Sequence, residues 1–246
     1  MILHDLLSRA MVNYLTGTVS NYQRRIPNDL GRLARILRPG DVLLVEGNAR
    51  ISQIIMYMTQ SSWSHAAMYV GDTLLRWGGP EADRAVARYG PEACQLLIES
   101  DLKTGVAVVP LSQYLDQNLR ICRPLGLPPG GLERVLQEMF QHLGVRYDQR
   151  NTLDLARYLL PFQLMPPRFR RRSLYLGSSS SREIICSALI AKAFYRIGLT
   201  IQPPLRPPAG ARGEQLQVRH PSYIMPRDFD LSGNFQILKP AGTDQR

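Results

Sequence analysis

Three cysteines are the residues that could give this chain a nucleophile. A nucleophilic cysteine needs a thiolate, a base that produces it and a group that orients the base. Cys186 lies in or near the first turns of a predicted helix, where the positive end of the helix dipole favours a thiolate. Cys94 lies in a predicted loop and Cys122 in a predicted strand. By position alone, a cysteine more often serves as a small buried apolar residue than as a nucleophile.

A histidine must act as the base for such a nucleophile. His65 opens an apolar strand, and the other three histidines are His4, His142 and His220. Glu99 is the single carboxylate within the apolar stretch 96–100. A carboxylate in a half-buried strand costs free energy unless it is paired, so Glu99 is a candidate partner for the histidine. A structural role for His65 and a solvent-facing Glu99 are the alternatives that spacing alone leaves open.

An ordered series of motifs carries a resemblance to a known family. The series consists of PGDVLLV at residues 39–45, an Ile-Ser-x-x-Ile helix, SHAAMYVG at 64–71, Ile98-Glu99-Ser100, GVAVVPL at 105–111, Gly144-x-x-Tyr147-Asp148 and Cys186-Ser187-Ala188-Leu189. In this order, with the histidine before the cysteine, the motifs resemble the circularly permuted branch of the NlpC-type superfamily. More closely, they resemble the YiiX/YebB-like papain-fold cysteine hydrolases, over roughly residues 38–198.

The resemblance implies both a fold and a set of catalytic residues. The implied fold is α+β, a circularly permuted papain-like (NlpC-type) fold with an antiparallel β-sheet or barrel core packed against helices. Cys186 matches the nucleophile of the family, His65 its base and Glu99 the residue that orients the imidazole. Tyr147 matches an aromatic position beside the site and is predicted to contact the substrate. The implied chemistry requires no cofactor and no metal.

Most of the predicted strands lie in the first half of the chain. Apolar residues at spacings of three and four predict an amphipathic helix over residues 2–16, and further helices are predicted over 29–37 and 50–60. Residues 73–77 are predicted to pair back as a hairpin strand, and the charged stretch 78–91 is predicted to be an insertion loop. The remaining strands are predicted at residues 42–45, 64–70, 96–100, 106–109 and 119–123.

The second half reads as helical, with proline-rich loops. Helices are predicted over residues 132–143, over 151–160, and from a Ser180-x-x-Glu183 capping box to near Gly198, with loops at 161–181 and 203–213 and a strand near 235–238. Strands first and helices after indicate an α+β domain. The predicted organisation is an N-terminal helical extension (1–37), the hydrolase domain (38–198) and a C-terminal proline-rich extension (199–246) that packs on the domain.

The composition restricts the classes of partner. The net charge is +10 at pH 7, and only three of the 30 cationic residues are lysines. An arginine excess suits an anionic partner such as a phospholipid head group, a nucleic acid or an acidic substrate, although GC-rich coding gives the same excess without a function. The arginine cluster at residues 168–172 has only Phe169 interleaved, so nucleic acid is disfavoured. No apolar stretch is long enough to cross a membrane.

Three function hypotheses follow. The leading one is a cysteine-dependent hydrolase, of amidase or peptidase type, that forms a thioacyl-enzyme on a small amide or ester. The second is a lipid acyltransferase or phospholipase that works at an anionic membrane surface, and the third is an inactive basic binding module. The three cysteines include no Cys-x-x-Cys pair and the N-terminus has no secretory pattern, which predicts a cytoplasmic location, with peripheral membrane contact open and the oligomeric state unspecified.

Overall fold

The computed structural model describes residues 13–25, 27–101, 104–145, 186–202 and 219–239. It contains helices packed on an antiparallel sheet, as the α+β prediction requires. The strands are β1 (Val42–Glu46), β2 (His65–Gly71), β3 (Leu96–Asp101), β4 (Gly105–Pro110), β5 (Asn118–Pro124) and β6 (Phe235–Leu238). The helices are α1 (Leu30–Ile36), α2 (Arg50–Thr59), α3 (Thr73–Trp77), α4 (Pro80–Tyr89), α5 (Gly131–Gln141), α6 (Cys186–Tyr195) and α7 (Pro226–Leu231).

The sheet joins strands from both ends of the chain. Within the described residues it has six strands in the order β4-β3-β2-β1-β5-β6, and each neighbouring pair is antiparallel. In this part of the chain β4 and β6 are the two edges, so the sheet is open and the barrel form of the prediction is wrong. The predicted strand near residues 235–238 is confirmed, and it pairs with β5.

Alternating side chains divide the core between the two faces of the sheet. Along β1, Val42 and Leu44 belong to one buried cluster, and Leu43 and Val45 belong to the other. Helices α5 and α6 contribute to the first cluster, whereas α1 and the short 3-10 helix Leu111–Tyr114 contribute to the second. Because a strand turns successive side chains to opposite faces and both faces are covered here, residues 42–45 of β1 are all apolar.

The segment between β2 and β3 is helical, which corrects two predictions. Residues 73–77 form α3 rather than a hairpin strand, because an ion pair between Arg76 and Asp72 at spacing i,i+4 supports a helical turn. The predicted insertion loop 78–91 contains α4, which begins with Pro80 at its first position and buries Ala82 and Ala85 on one side. The charged residues of α4 lie on its exposed side, and its buried side carries only small residues. The sequence of α4 therefore shows no clear helical periodicity of apolar residues.

Several predicted segments lie outside the described residues. Residues 13–15 are helical, and the earlier part of the predicted helix 2–16 lies outside them. So do the predicted helix 151–160, the loops 161–181 and 203–213, the capping box at Ser180 and Glu183, Tyr147, the cluster 168–172 and His4. Among the helices that the structure describes, none is both long and apolar enough to cross a membrane.

Candidate active site

Neighbouring strands bring His65 and Glu99 together. Strand β2 pairs with β3 in the antiparallel register Met68↔Ile98, so the first residue of β2 and the last third of β3 lie at the same end of the sheet. The His65 Nε2 atom lies 2.8 Å from Glu99 Oε2. Glu99 is only 5% exposed, so its interpretation as a solvent-facing carboxylate is wrong. The pairing with His65 compensates the cost of burying this carboxylate.

Tyr114 is a site residue that sequence reasoning missed. Its hydroxyl donates a hydrogen bond to Glu99 Oε2, the same oxygen that faces His65. Its ring also stacks on the His65 imidazole, with a centroid distance of 6.2 Å and an interplanar angle of 28°. On the other carboxylate oxygen, Gln113 Nε2 donates to Oε1 at 3.5 Å. Tyr114 therefore holds the carboxylate and the imidazole in one arrangement.

Helix α6 begins at Cys186 and places this residue next to His65. This helix is buried on nearly every side, as its apolar sequence demands. The helix is attached to the C-terminal segment by Ser187, whose hydroxyl donates a hydrogen bond to the Ile224 carbonyl at 2.6 Å. Cys186 itself is 7% exposed and hydrogen-bonds the His65 side chain. Because His65 uses Nε2 for Glu99, the nitrogen left for the thiol is Nδ1.

Two backbone N–H groups also face the Cys186 sulfur. The N–H of Ala66, the second residue of β2, donates to it, and so does the N–H of Ser187 in the first turn of α6. Donors placed this way stabilise negative charge on the sulfur.

The electrostatics of the pair favour a thiolate beside an imidazolium. Burial raises the pKa of the Cys186 thiol, but the charge of His65, its hydrogen bond and the two backbone donors outweigh burial and lower the pKa below its ordinary value. Burial lowers the pKa of His65, but the Cys186 thiolate and Glu99 outweigh burial and raise the pKa well above its ordinary value. The two shifts are opposite in sign, as expected for a proton that moves from sulfur to nitrogen.

A network beside the site fixes the segment that leads into β2. Trp63 Nε1 donates to Asp230 Oδ2 at 3.0 Å, and Arg120 donates to both carboxylate oxygens of Asp230 at 2.6 and 2.7 Å. The Arg120 guanidinium lies over the Trp63 ring, 4.9 Å from its centroid. Trp63 precedes His65 by two residues, so α7 and β5 together position the start of β2.

The other cysteines and histidines of the described chain lie elsewhere. Cys94 is exposed at the end of a 3-10 helix, and Cys122 is buried in β5, where burial strongly raises the pKa of its thiol. His142 bonds the Glu138 carbonyl at the end of α5, and His220 bonds Ser222. Among the residues that the structure describes, no three His, Cys, Asp or Glu side chains form a group that could hold a metal.

A comparison with protein-family models identifies the chain. Residues 36–158, half of the chain, match the model for the permuted papain-like amidase enzymes of the YaeF/YiiX, C92 family. The chain belongs to this family. Membership of this family shows that the chain is an enzyme of the cysteine hydrolase type with a papain-like fold. The match includes His65 and Glu99 and ends before Cys186, so the place of the cysteine in this C92 enzyme rests on the geometry above.

No curated protein sequence matches the chain. Among solved structures, the chain is similar to the crystal structure of the metalloprotein yiiX from Escherichia coli O157:H7, with 14% identity and a TM-score of 0.48. The alignment covers 82% of this chain and 96% of that one.

Proposed function

We propose that this C92 enzyme hydrolyses a small amide or ester through a thioacyl-enzyme on Cys186. The observation that carries the proposal is the His65 side chain, which hydrogen-bonds the thiol on one side and the buried Glu99 carboxylate on the other. That arrangement supplies a nucleophile, a base and an orienting group in one place. Tyr147, the predicted substrate contact, stays a prediction because it lies outside the described residues.

The first step forms the thioacyl-enzyme. The Cys186 thiolate attacks the carbonyl carbon, and the negative charge moves to the carbonyl oxygen. The N–H group of Ser187, at the start of α6, is our proposed donor to that oxygen. When the tetrahedral intermediate collapses, the bond to the amine or alcohol breaks, and the His65 imidazolium gives its proton to that leaving group.

The second step releases the product. Water attacks the thioester carbon while His65 takes one of its protons, and the bond to sulfur breaks to give the carboxylic acid and the Cys186 thiolate. Glu99 and Tyr114 keep the imidazole in place through both proton transfers. An amine or alcohol that takes the place of water would give acyl transfer by the same route.

Trapping the acyl group tests the proposal. Incubation with 4-nitrophenyl acetate is expected to add one acetyl group to the protein, which peptide mass spectrometry should place on Cys186. The Cys186→Ala variant should lose both the adduct and the release of 4-nitrophenol, whereas Cys94→Ala, the matched control at the exposed cysteine, should keep them. Turnover that survives Cys186→Ala would refute the proposal, and the ratio of acetate to acetylated acceptor in the products separates hydrolysis from transfer.

A further inference from the structure

One face of α2 is apolar and exposed. Tyr57 is 79% exposed and Met58 46% exposed, whereas Ser52 on the other side of the helix is buried. Residue 54 comes four positions after residue 50, and residues 57 and 58 come three and four positions after residue 54, so the four lie toward one side of the helix. Large exposed apolar side chains that share a face mark an interaction surface more often than singly scattered ones do.

A second exposed tyrosine extends this face beyond α2. The Arg50 guanidinium lies 4.6 Å from the centroid of the Tyr14 ring and donates to the Tyr14 carbonyl at 3.0 Å. Tyr14 is 64% exposed. We name the surface formed by Tyr14, Arg50, Ile54, Tyr57 and Met58 the α2 face.

The α2 segment itself carries positive but no negative side chains. The chain has no Asp or Glu between residues 47 and 71, so α2 and its flanking segments carry no negative side chain. Arg50 lies on the face, and Arg227 reaches the end of α2, where it donates to the Thr59 carbonyl. Within the residues that the structure describes, neither guanidinium forms a salt bridge.

The α2 face lies at the end of the sheet that holds the candidate site. Residues 60–64 connect α2 directly to His65. The first turn of α2 also lies beside this connection, with Gly47 between the two. The Ser64 hydroxyl accepts a hydrogen bond from the N–H of Gly47. A Cβ added at Gly47 would lie 2.4 Å from the hydroxyl of Ser52, in the first turn of α2, and 3.0 Å from that of Ser64. A partner bound to the α2 face would therefore lie on the same side of the molecule as Cys186 and His65.

We propose that the α2 face docks the enzyme onto an anionic lipid bilayer. Tyrosine rings favour the boundary between head groups and acyl chains, and Met58 supplies apolar area. The two arginines, which face no carboxylate within the described part of the chain, suit anionic head groups. A helix lying in the plane of the interface needs this combination of apolar and basic side chains rather than a membrane-spanning length. The inference concerns where the enzyme works, and it goes beyond the acyl-enzyme chemistry.

Vesicle flotation with the full chain tests the proposal. Phosphatidylcholine vesicles that contain phosphatidylglycerol should carry the protein upward at low ionic strength, and pure phosphatidylcholine vesicles should carry far less. Added salt should weaken the binding because it screens the arginines. The variant Tyr57→Ser/Met58→Ser should bind about ten-fold more weakly, because it removes the apolar area that enters the interface.

A control variant and two contrary results make the test decisive. Val86→Ser changes an exposed apolar residue on α4 and should float like the unmodified protein. Unchanged iodoacetamide labelling of Cys186 in the double variant would show that its site is intact. Absence of binding to the anionic vesicles, or equal binding by the double variant, would overturn the proposal. A dimer in light scattering that the double variant loses would overturn it too, since the face would then bind a second copy of the chain.

Discussion

The charge on the His65 ring depends on two neighbours at once. Nε2 faces Glu99, the other nitrogen faces Cys186, and Tyr114 stacks on the ring while it bonds the same carboxylate. The imidazolium therefore gains from a negative group on each side. The lowered pKa of Cys186 sets the acid limit of the thiolate–imidazolium pair, and the raised pKa of His65 sets its alkaline limit.

Thiol alkylation should reveal this pair directly. We expect Cys186 to react with iodoacetamide at about pH 6, well below the range near pH 8.5 where an ordinary thiol becomes reactive. Peptide mass spectrometry follows all three cysteines in one sample, with exposed Cys94 as the accessible reference and buried Cys122 as the protected one. His65→Ala should remove the advantage of Cys186 at low pH. Equal labelling of the three thiols in the folded protein would contradict the pairing.

Glu99→Gln should narrow the active pH range from its alkaline side. The carboxylate helps to raise the pKa of His65, so a neutral amide lowers that pKa and the imidazolium loses its proton at a lower pH. The alkaline limb of the kcat/KM profile should therefore move to lower pH. Gln113→Glu provides a contrast, because it adds a negative group near Glu99 and should not move the limb downward. An unmoved limb in Glu99→Gln would show that the carboxylate only fills space.

Tyr114→Phe separates positioning from packing. The phenyl ring can still stack on His65, but the hydrogen bond to Glu99 is lost. We expect kcat to fall about ten-fold with little change in KM, because the imidazole loses its fixed orientation while the substrate surface stays the same. Tyr89→Phe removes a tyrosine hydrogen bond to the Val108 carbonyl and should leave both constants unchanged. Equal effects in the two variants would argue against a positioning role.

Among the elements, α7 and β5 determine where β2 begins. Asp230 on α7 binds both Arg120 of β5 and Trp63, and the three side chains are largely enclosed. Asp230→Asn should therefore lower the free energy of unfolding by about 1–2 kcal/mol, as measured in urea. Asp116→Asn breaks another Arg–Asp pair whose carboxylate is 92% exposed, and it should give no measurable change. Similar losses in the two variants would mean that the network adds nothing beyond a surface ion pair.

The sequence predicted the strands well and the connection between β2 and β3 poorly. Unbroken apolar runs marked β1, β3 and β4, and the motif order predicted that His65, Glu99 and Cys186 belong together. Helix α4 was missed because only Ala82 and Ala85, two small side chains, mark its buried side. Its high charge and flanking glycines are typical of a loop, and only packing against the sheet distinguishes the two.

Tyr114 could not be found from a motif. It lies in a 3-10 turn after β4, and its contact with Glu99 exists because β3 and β4 pair in the register Glu99↔Ala107. The only signal in the sequence is a tyrosine that closely follows the strand next to that of Glu99. Contacts of this kind depend on pairing between strands, which a single sequence does not specify.

At the scale of the whole molecule, the C-terminal segment is part of the core. Strand β6 covers the edge of β5, and Phe235 packs edge-on against Phe194 of α6 and Phe229 of α7, with centroid distances of 5.3 and 5.4 Å. The backbone carbonyl of Ile224 accepts a hydrogen bond from the hydroxyl of Ser187, the residue next to Cys186. The domain boundary predicted at residue 199 stays a prediction, but residues 219–239 contact the elements that carry the candidate site.

Removal of residues 219–246 should prevent folding. The truncation would expose the edge of β5 and the Phe194 ring, and it would leave the Ser187 hydroxyl without its buried acceptor. We expect an insoluble product, or one without a cooperative urea transition. A chain that ends at Lys239 keeps β6 and should unfold cooperatively. A soluble, cooperative product from the longer truncation would show that β1 to β5 form a core without this segment.

The excursion between β2 and β3 has a practical consequence for engineering. It leaves and re-enters the sheet at the end remote from His65, since β2 ends at Gly71 and β3 begins at Leu96. Gly78 and Gly79 join α3 to α4 with φ of 72° and 98°; both are exposed, and a Cβ added at either would meet no heavy atom within 4 Å. The ladder between β2 and β3, rather than the length of chain joining them, sets the distance between His65 and Glu99. We therefore expect a guest such as a fluorescent reporter, spliced between these two glycines, to leave the pairing of His65 with Glu99 unchanged.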